Sequence, residues 1–95
     1  MKKDTNLSRK SVVSLKYKKG YNSAPKITAK GKGWVADKII KIAHENNIPI
    51  REDKDLLNLL SEIDVGQEVP ESLYKVVAEL LAWVYQINQN FQQSQ

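Results

Sequence analysis

The chain has 95 residues, of which 41% are hydrophobic, and it contains one histidine and no cysteine. These numbers allow one small domain and exclude a disulfide framework, a thiol nucleophile and a conventional zinc site. The charge is uneven, because residues 1–33 contain ten Lys and Arg residues against Asp4 alone, whereas residues 34–95 contain five against ten acidic residues. No apolar run is long enough for a membrane span or a signal peptide, which indicates a cytoplasmic protein.

The first third of the chain predicts a basic arm followed by two strands. Residues 1–10 have almost no apolar side chains, which predicts a disordered arm of the kind found in solvated leaders. Val13, Leu15 and Tyr17 alternate with polar residues, which predicts a strand over SVVSLKY that turns these three side chains into the core. Pro25 then opens a second strand, KITAK, which stops at the Gly-Lys-Gly triplet that follows.

Three helices and one further strand are predicted after this triplet. Residues 34–46 have the apolar spacing of an amphipathic helix. Residues 48–51 are too few and too interrupted by proline for a helix, which favours a strand. Asp53 is placed to cap a second helix that ends near Glu62, and Pro70 is placed to begin the last helix.

The predicted order of elements is β-β-α-β-α-α. This order predicts an α/β fold in which a small mixed sheet of about three or four strands is flanked by three helices. The folded domain is expected to cover residues 11–88, between the arm of residues 1–10 and a disordered polar tail of residues 89–95. We expect a monomer.

Residue types that carry catalysis are sparse and poorly arranged. The Gly31–Gly33 triplet would suit a phosphate group, with Lys30 and Lys32 adding charge, but a tight turn is the favoured interpretation. His44 has no carboxylate within relay distance and is expected to be a solvated residue at a helix end. Three neighbouring carboxylates are expected to cap the second helix rather than to form a catalytic pair: Glu52, Asp53 and Asp55. We therefore expect no enzyme, cofactor, metal or small-molecule substrate.

An alternative function is a small nucleic-acid-binding module that uses the basic N-terminal third. The segment Lys16–Tyr21 interleaves lysines with tyrosines, as in proteins that clamp a single strand of nucleic acid. Tyr17 is predicted to face the core, which leaves Tyr21 alone for stacking, and the helices are acidic or apolar. Nucleic acid is therefore the less favoured partner.

Several blocks of sequence, in the same order and register, resemble one known family. They are LKY at 15–17, APKITAKGKG at 24–33, IPI at 48–50, VGQEVP at 65–70, LY at 73–74 and VAELLAWVY at 77–85. The chain resembles the cytoplasmic C-terminal domain of FlhB, the flagellar export-gate protein, whose injectisome relatives include YscU and EscU. The resemblance covers residues 12–87 and implies a compact α/β domain with a small central sheet surrounded by helices.

Two departures from the family pattern imply a stand-alone homologue that does not cleave itself. Family members carry a membrane domain before this module, whereas here only the polar arm precedes it. Members also cleave their own chain between the Asn and the Pro of an Asn-Pro-Thr-His motif. The matching positions here are Leu7, Ser8, Arg9 and Lys10. Leucine has no side-chain amide to attack its own carbonyl group, and lysine does not replace the imidazole.

The resemblance also implies a site. In the family the domain docks export substrates and switches specificity from rod-and-hook to filament subunits, and an apolar patch is implicated in holding a short hydrophobic export signal. The matching positions are Ala24, Pro25, Ala78 and Leu81, where small side chains would leave a shallow concavity. The alternative is that Ala78 and Leu81 only pack the last helix on the sheet.

The implied function is an accessory component of flagellar type III export that substitutes for the FlhB cytoplasmic domain. The implied partners are the export-gate protein, through its membrane domain or its neighbours, and the export substrates. The first strand would pair its free edge with a strand of the gate protein. The membrane would be reached only indirectly, through recruitment to the cytoplasmic face of the export apparatus.

Overall fold

The computed structural model describes residues 10–18 and 24–93. For residues 89–93, at the end of the last helix, it describes the backbone alone. Its elements are strands β1 (Ser11–Lys16) and β2 (Lys26–Lys32), helices α1 (Trp34–Glu45) and α2 (Lys54–Ser61), a 3-10 turn (Glu71–Leu73) and helix α3 (Tyr74–Gln93). The predicted α/β class and the three predicted helices are confirmed. Residues 1–9 of the predicted arm and residues 94–95 of the predicted tail lie outside the described residues.

β1 and β2 form an antiparallel pair whose register is interrupted once. The pairing runs along both strands and shifts between Ser14 and Leu15, which leaves Thr28 as an extra residue in β2. The Thr28 hydroxyl oxygen lies 2.9 Å from Ser14 Oγ, and the hydroxyl group donates to the Ser14 carbonyl oxygen at 3.2 Å. The bulge accommodates the extra residue while Val13 and Leu15 keep their contacts with the core, as their alternation predicts.

The third strand predicted over residues 48–51 does not form among the described residues, so that prediction is wrong. Helix α1 ends in a Schellman motif, in which Asn47 has a φ of 57° and the Ile48 N–H group donates to the Ala43 carbonyl oxygen at 2.9 Å. Pro49 has no N–H group to donate to a neighbouring strand. The segment therefore closes the helix, and the described sheet has two strands rather than three or four.

Residues 66–69, which the sequence presents as a plain connector, instead lie along the edge of β2 that β1 leaves open. The Ile27 N–H group donates to the Gln67 carbonyl oxygen at 3.0 Å, and the Gly66 N–H group donates to the Ile27 carbonyl oxygen at 2.7 Å. Gly66 has a φ of 91°, which residues with a Cβ atom rarely adopt. Because the contact amounts to one isolated bridge, the segment extends the sheet without becoming a strand.

One hydrophobic cluster joins β2, the 66–69 segment, α2 and α3. Its buried members are Ile27, Leu56, Leu60, Val69 and Val77. Helix α1 attaches separately, through the fully buried Ala36, and it approaches β2 so closely that a Cβ atom on Gly31 would lie 3.1 Å from the Ala36 nitrogen. The shared cluster places α3 next to the start of β2.

Side chains form hydrogen bonds with unpaired backbone groups at both ends of α2. Asp53 caps the start as predicted, because its Oδ1 accepts a hydrogen bond from the Leu56 N–H group at 3.0 Å. The last turn has no basic residue of its own. Instead Lys30 reaches across from β2, and its Nζ donates to the carbonyl oxygens of Ser61 and Ile63, each at 2.9 Å. A cation at this position also compensates the negative end of the helix dipole.

The last helix differs from its prediction at both ends. Pro70 leads into the 3-10 turn rather than directly into an α-helix, and its carbonyl oxygen accepts from the Leu73 N–H group at 2.9 Å. The helical backbone continues to Gln93, past the boundary at residue 88. Three of residues 89–93 are glutamine, which is a good helix former. Among the described residues, no helix combines the length and the apolar character needed to cross a bilayer.

Candidate docking site

An apolar concavity of about 180 Å³ lies between the start of β2 and the first turns of α3. Its lining residues are Tyr17, Pro25, Tyr74, Val77, Ala78 and Leu81. Pro25 and Val77 are buried and form its floor, whereas Ala78 is exposed. An apolar cavity of about 150 Å³ is enough to hold a benzene ring. The concavity therefore has room for one apolar side chain of a ligand.

Three of the four predicted site residues come together in this concavity, although they are far apart in the sequence. Pro25 precedes β2, and Ala78 and Leu81 lie one turn apart on α3. Ala24 is partly buried and precedes Pro25 directly, but it does not line the concavity. Leu81 also contacts the core cluster, so it packs the last helix on the fold in addition to lining the concavity. Ala78 is exposed and does not contribute to this packing.

Two partly exposed tyrosines complete the lining. Tyr17 is 42% exposed and Tyr74 is 44% exposed. The predicted placement of Tyr17 in the core is wrong, because β1 ends at Lys16 and the alternation of the strand does not extend to the next residue. Tyrosine offers a broad apolar ring while its hydroxyl group remains in water. Sequence reasoning missed Tyr74 as a site residue, although its spacing of four residues from Ala78 places both on one helix face.

One backbone hydrogen bond and shared packing in the core hold the two sides of the concavity together. The Val69 N–H group donates to the Pro25 carbonyl oxygen at 2.8 Å, which ties the start of β2 to the segment that leads into α3. Val77 packs in the same buried cluster as Ile27 of β2. The concavity is therefore preformed, as binding sites usually are.

Three of the four positions that match the cleavage motif lie outside the described residues: Leu7, Ser8 and Arg9. Lys10 is described and has a structural role. Its carbonyl oxygen accepts from the Gly33 N–H group at 2.9 Å, and its Nζ lies 3.2 Å from Asp37 Oδ1. Lys10 thereby ties the start of β1 to the start of α1.

The other residues considered for chemistry also serve the fold or face solvent. Lys30 caps α2, so it is not available to the Gly31–Gly33 triplet as a phosphate ligand. His44 is exposed in the last turn of α1, and Asp37, a carboxylate on the same helix, forms an ion pair with Lys10. Among the described residues, no group of three potential ligands could hold a metal ion. Tyr21, the residue proposed to stack on nucleic acid, lies outside the described part of the chain.

A second depression, of about 620 Å³, lies over the exposed side of α2. All of its lining residues belong to this helix or its C-cap: Asp55, Asn58, Leu59 and Glu62. Because one helix face provides no opposing wall and carries two carboxylates, this depression does not enclose an apolar ligand.

Comparison with known proteins connects this geometry to a family. The model of the FlhB HrpN YscU SpaS family matches residues 9–84, which include every residue that lines the apolar concavity. The chain belongs to this family. FlhB of Escherichia coli is 46% identical over 76 residues, which cover 79% of this chain and 20% of that protein. The Bacillus subtilis protein YlqH, described as uncharacterized, is 38% identical over 90 residues, which cover 95% of both chains.

Solved structures of two FlhB-family proteins share the fold. A single-residue variant of the EscU C-terminal domain matches with a TM-score of 0.74 and 32% identity, over 81% of this chain and 93% of that domain. The PscU C-terminal domain matches with a TM-score of 0.71 and 28% identity, over 77% of this chain and 94% of that domain. The chain spans about a fifth of the length of the FlhB proteins that it matches, 20% in Escherichia coli. It is a type III export-related domain of the FlhB and YscU family.

Proposed function

We propose that this protein is an accessory component of flagellar type III protein export and substitutes for the cytoplasmic domain of FlhB. It docks a short apolar segment of an export substrate in the apolar concavity. The observation that carries the proposal is that Pro25, Ala78 and Leu81 meet in one preformed concavity of a domain that belongs to the FlhB family.

The concavity suits one side chain of an extended peptide. Its floor is aliphatic, and the rings of Tyr17 and Tyr74 offer apolar faces beside it. Full burial of a Val, Leu, Ile, Phe or Met side chain contributes about 1.5–3 kcal/mol. Docking through a single such side chain is weak, so the complex dissociates readily. That property fits a site that must receive and release successive substrates.

In this proposal the protein presents a surface and makes or breaks no bond. Leu7 stands where the family motif has its asparagine, and a leucine side chain holds no nucleophile. Lys10 stands where the motif has its histidine, and its ammonium group pairs with Asp37. The protein is therefore not an enzyme and does not cleave itself.

The proposed anchor is the export-gate protein itself. Within the described part of the chain, β1 pairs with β2 alone, so its outer edge presents backbone N–H and C=O groups to an added strand. A strand from the membrane-anchored part of FlhB would fill this edge. A monomer held in this way would act in the cytoplasm, at the cytoplasmic face of the export apparatus.

A strain whose FlhB is truncated before its own cleavage motif tests this function. Expression of the full chain is expected to restore motility, and the tagged protein is expected to copurify with the truncated FlhB. Hook length, measured by electron microscopy, reports whether the protein also supports the switch from hook to filament subunits. Absence of both motility and copurification contradicts the proposal.

Two matched variants separate substrate docking from anchoring. Ala78→Trp places a large ring in the concavity and is expected to abolish motility while copurification with FlhB persists. Asn58→Trp adds the same ring to the exposed side of α2 and is expected to preserve both. Equal motility in the two variants would show that the concavity is not the docking site.

A further inference from the structure

The outer side of α1 carries large apolar side chains that lie outside the buried core cluster and are about half exposed or more, although Val35 also packs against Gly31 of β2. Trp34 is 64% exposed, Val35 54% and Ile42 49%. At about 100° per residue these three positions lie on one arc of about 120°, on the opposite side of the helix from the fully buried Ala36. Single exposed apolar residues are ordinary, but three large ones on one helix face indicate a contact surface.

Lysines share this arc with the apolar residues. Lys38 and Lys41 are exposed on it, and the acidic residue on the same arc is Glu45. Asp37 lies beside the arc, and its carboxylate is compensated by Lys10 at 3.2 Å. The exposed face of α1 therefore combines apolar bulk with a net positive charge.

The basic arm joins the fold at the same place. The hydrogen bond from the Gly33 N–H group to the Lys10 carbonyl oxygen places the end of the arm beside Trp34, the first residue of α1. The residues that precede Lys10 include three cations and one anion: Lys2, Lys3, Arg9 and Asp4. By sequence, these residues have a net positive charge, the same sign as that of the exposed side of α1.

We propose that the outer face of α1, formed by Trp34, Val35, Lys38, Lys41 and Ile42, binds peripherally to the anionic surface of a phospholipid bilayer. We name it the α1 face. Tryptophan favours the boundary between headgroups and acyl chains, and helices that lie in this boundary combine apolar residues with lysines. Each lysine near an anionic bilayer strengthens binding about fivefold at moderate ionic strength.

The chemistry of the α1 face favours lipid over nucleic acid as its partner. Nucleic-acid backbones are bound through charged and polar groups, which leaves no role for exposed Val35 and Ile42. A bilayer boundary takes up both kinds of side chain. The inference is independent of the apolar concavity. It replaces the expectation, drawn from the sequence, that the protein reaches the membrane only through the export apparatus.

Cosedimentation with lipid vesicles tests the inference on the full chain. The protein is expected to sediment with vesicles of phosphatidylglycerol and phosphatidylcholine, and to stay in solution with phosphatidylcholine alone. Raising the salt concentration is expected to release it. In a Trp83→Phe variant, Trp34 is the remaining tryptophan of the two in the chain, and its emission is expected to shift to shorter wavelength on binding. Absence of sedimentation, or equal sedimentation with both kinds of vesicle, overturns the inference.

Two charge-reversal variants with the same change in net charge locate the binding face. Lys38→Glu with Lys41→Glu is expected to weaken vesicle binding by at least about 25-fold, because two attractive charges are lost and two repulsive ones are added. Lys54→Glu with Lys75→Glu reverses exposed lysines on α2 and α3 and is expected to change binding much less.

Three further observations complete the test. Trp34→Ser is expected to weaken vesicle binding without a change in charge, and circular dichroism checks that each variant is folded. Equal losses in the two charge-reversal variants would mean that net charge alone drives binding, which contradicts the α1 face. The proposal is refuted if the protein binds DNA tightly and Trp34→Ser leaves vesicle binding unchanged. That result would mean that the basic arm binds nucleic acid and that the α1 face does not bind lipid.

Discussion

Lys30 is predicted to stabilise the fold from the surface, and Lys30→Met isolates this contribution. The Lys30 ammonium group donates to the carbonyl oxygens of Ser61 and Ile63 at the end of α2, each at 2.9 Å. Methionine keeps most of the apolar stem and removes the charge and both hydrogen bonds. Lys32→Met is the matched control, because Lys32 is exposed on the same strand and its side chain makes no hydrogen bond or ion pair within the described part of the chain.

The magnitude follows from the two lost interactions. A hydrogen bond that involves a charged group contributes about 1.5–3 kcal/mol when it is buried, and a cation at a helix C-terminus contributes about 0.3–1 kcal/mol. Lys30 is only partly buried, and water can hydrate both carbonyl groups after the substitution, so the net loss falls to or below the lower end of the range for one such hydrogen bond. We expect Lys30→Met to lower the free energy of unfolding by about 1–2 kcal/mol.

Thermal and urea unfolding, followed by circular dichroism, measure this difference. For a domain of this size the expected loss corresponds to a Tm about 4–16 °C lower. Lys32→Met is expected to change the free energy of unfolding by no more than about 0.5 kcal/mol. If both variants unfold at the same temperature, Lys30 does not cap α2 in solution and the reasoning is wrong.

Three further predictions concern packing, capping and cleavage. Gly31→Ala places a Cβ atom 2.5 Å from Val35 Cγ1 and 3.1 Å from the Ala36 nitrogen, so part of α1 must shift, and urea unfolding is expected to show a loss of about 1–3 kcal/mol; no loss would mean that α1 adjusts its position on β2 without cost. Asp53→Ala removes the cap of α2 and is expected to cost about 1 kcal/mol, whereas Asp55→Ala costs less; equal losses argue against the cap. Intact mass is expected to show one species of 10.8 kDa, and fragments split between Leu7 and Lys10 would disprove the absence of self-cleavage.

The sequence predicted those parts of the fold that depend on local pattern. The alternation of Val13 and Leu15, and the capping position of Asp53, each point to the element that the structure contains. The prediction of a strand over residues 48–51 was wrong because its first residue, Ile48, completes the Schellman motif of α1 and Pro49 has no N–H group to donate to a strand. The pairing of residues 66–69 with β2 was not predictable, since it depends on hydrogen bonds to Pro25 and Ile27, which are distant in the sequence.

The candidate site was predictable only in part, for a similar reason. The resemblance supplied Pro25, Ala78 and Leu81, and the structure brings these three together. The position of Tyr17 in the lining of the concavity was not predicted, because the alternation of the strand assigns Tyr17 to the core. The apolar pattern does not indicate that β1 ends at Lys16. A concavity forms where separate elements pack against each other, and neither the periodicity nor the composition of a sequence predicts such tertiary contacts.

Direct binding of a peptide tests the central claim that the apolar concavity docks export substrates. A labelled peptide with the apolar N-terminal segment of a rod or hook subunit is titrated with the full chain by fluorescence anisotropy. Since one buried side chain contributes about 1.5–3 kcal/mol, Ala78→Trp is expected to weaken binding by roughly ten- to 150-fold, whereas Asn58→Trp leaves it unchanged. Equal affinity of the peptide for the wild-type protein and for Ala78→Trp would contradict the claim.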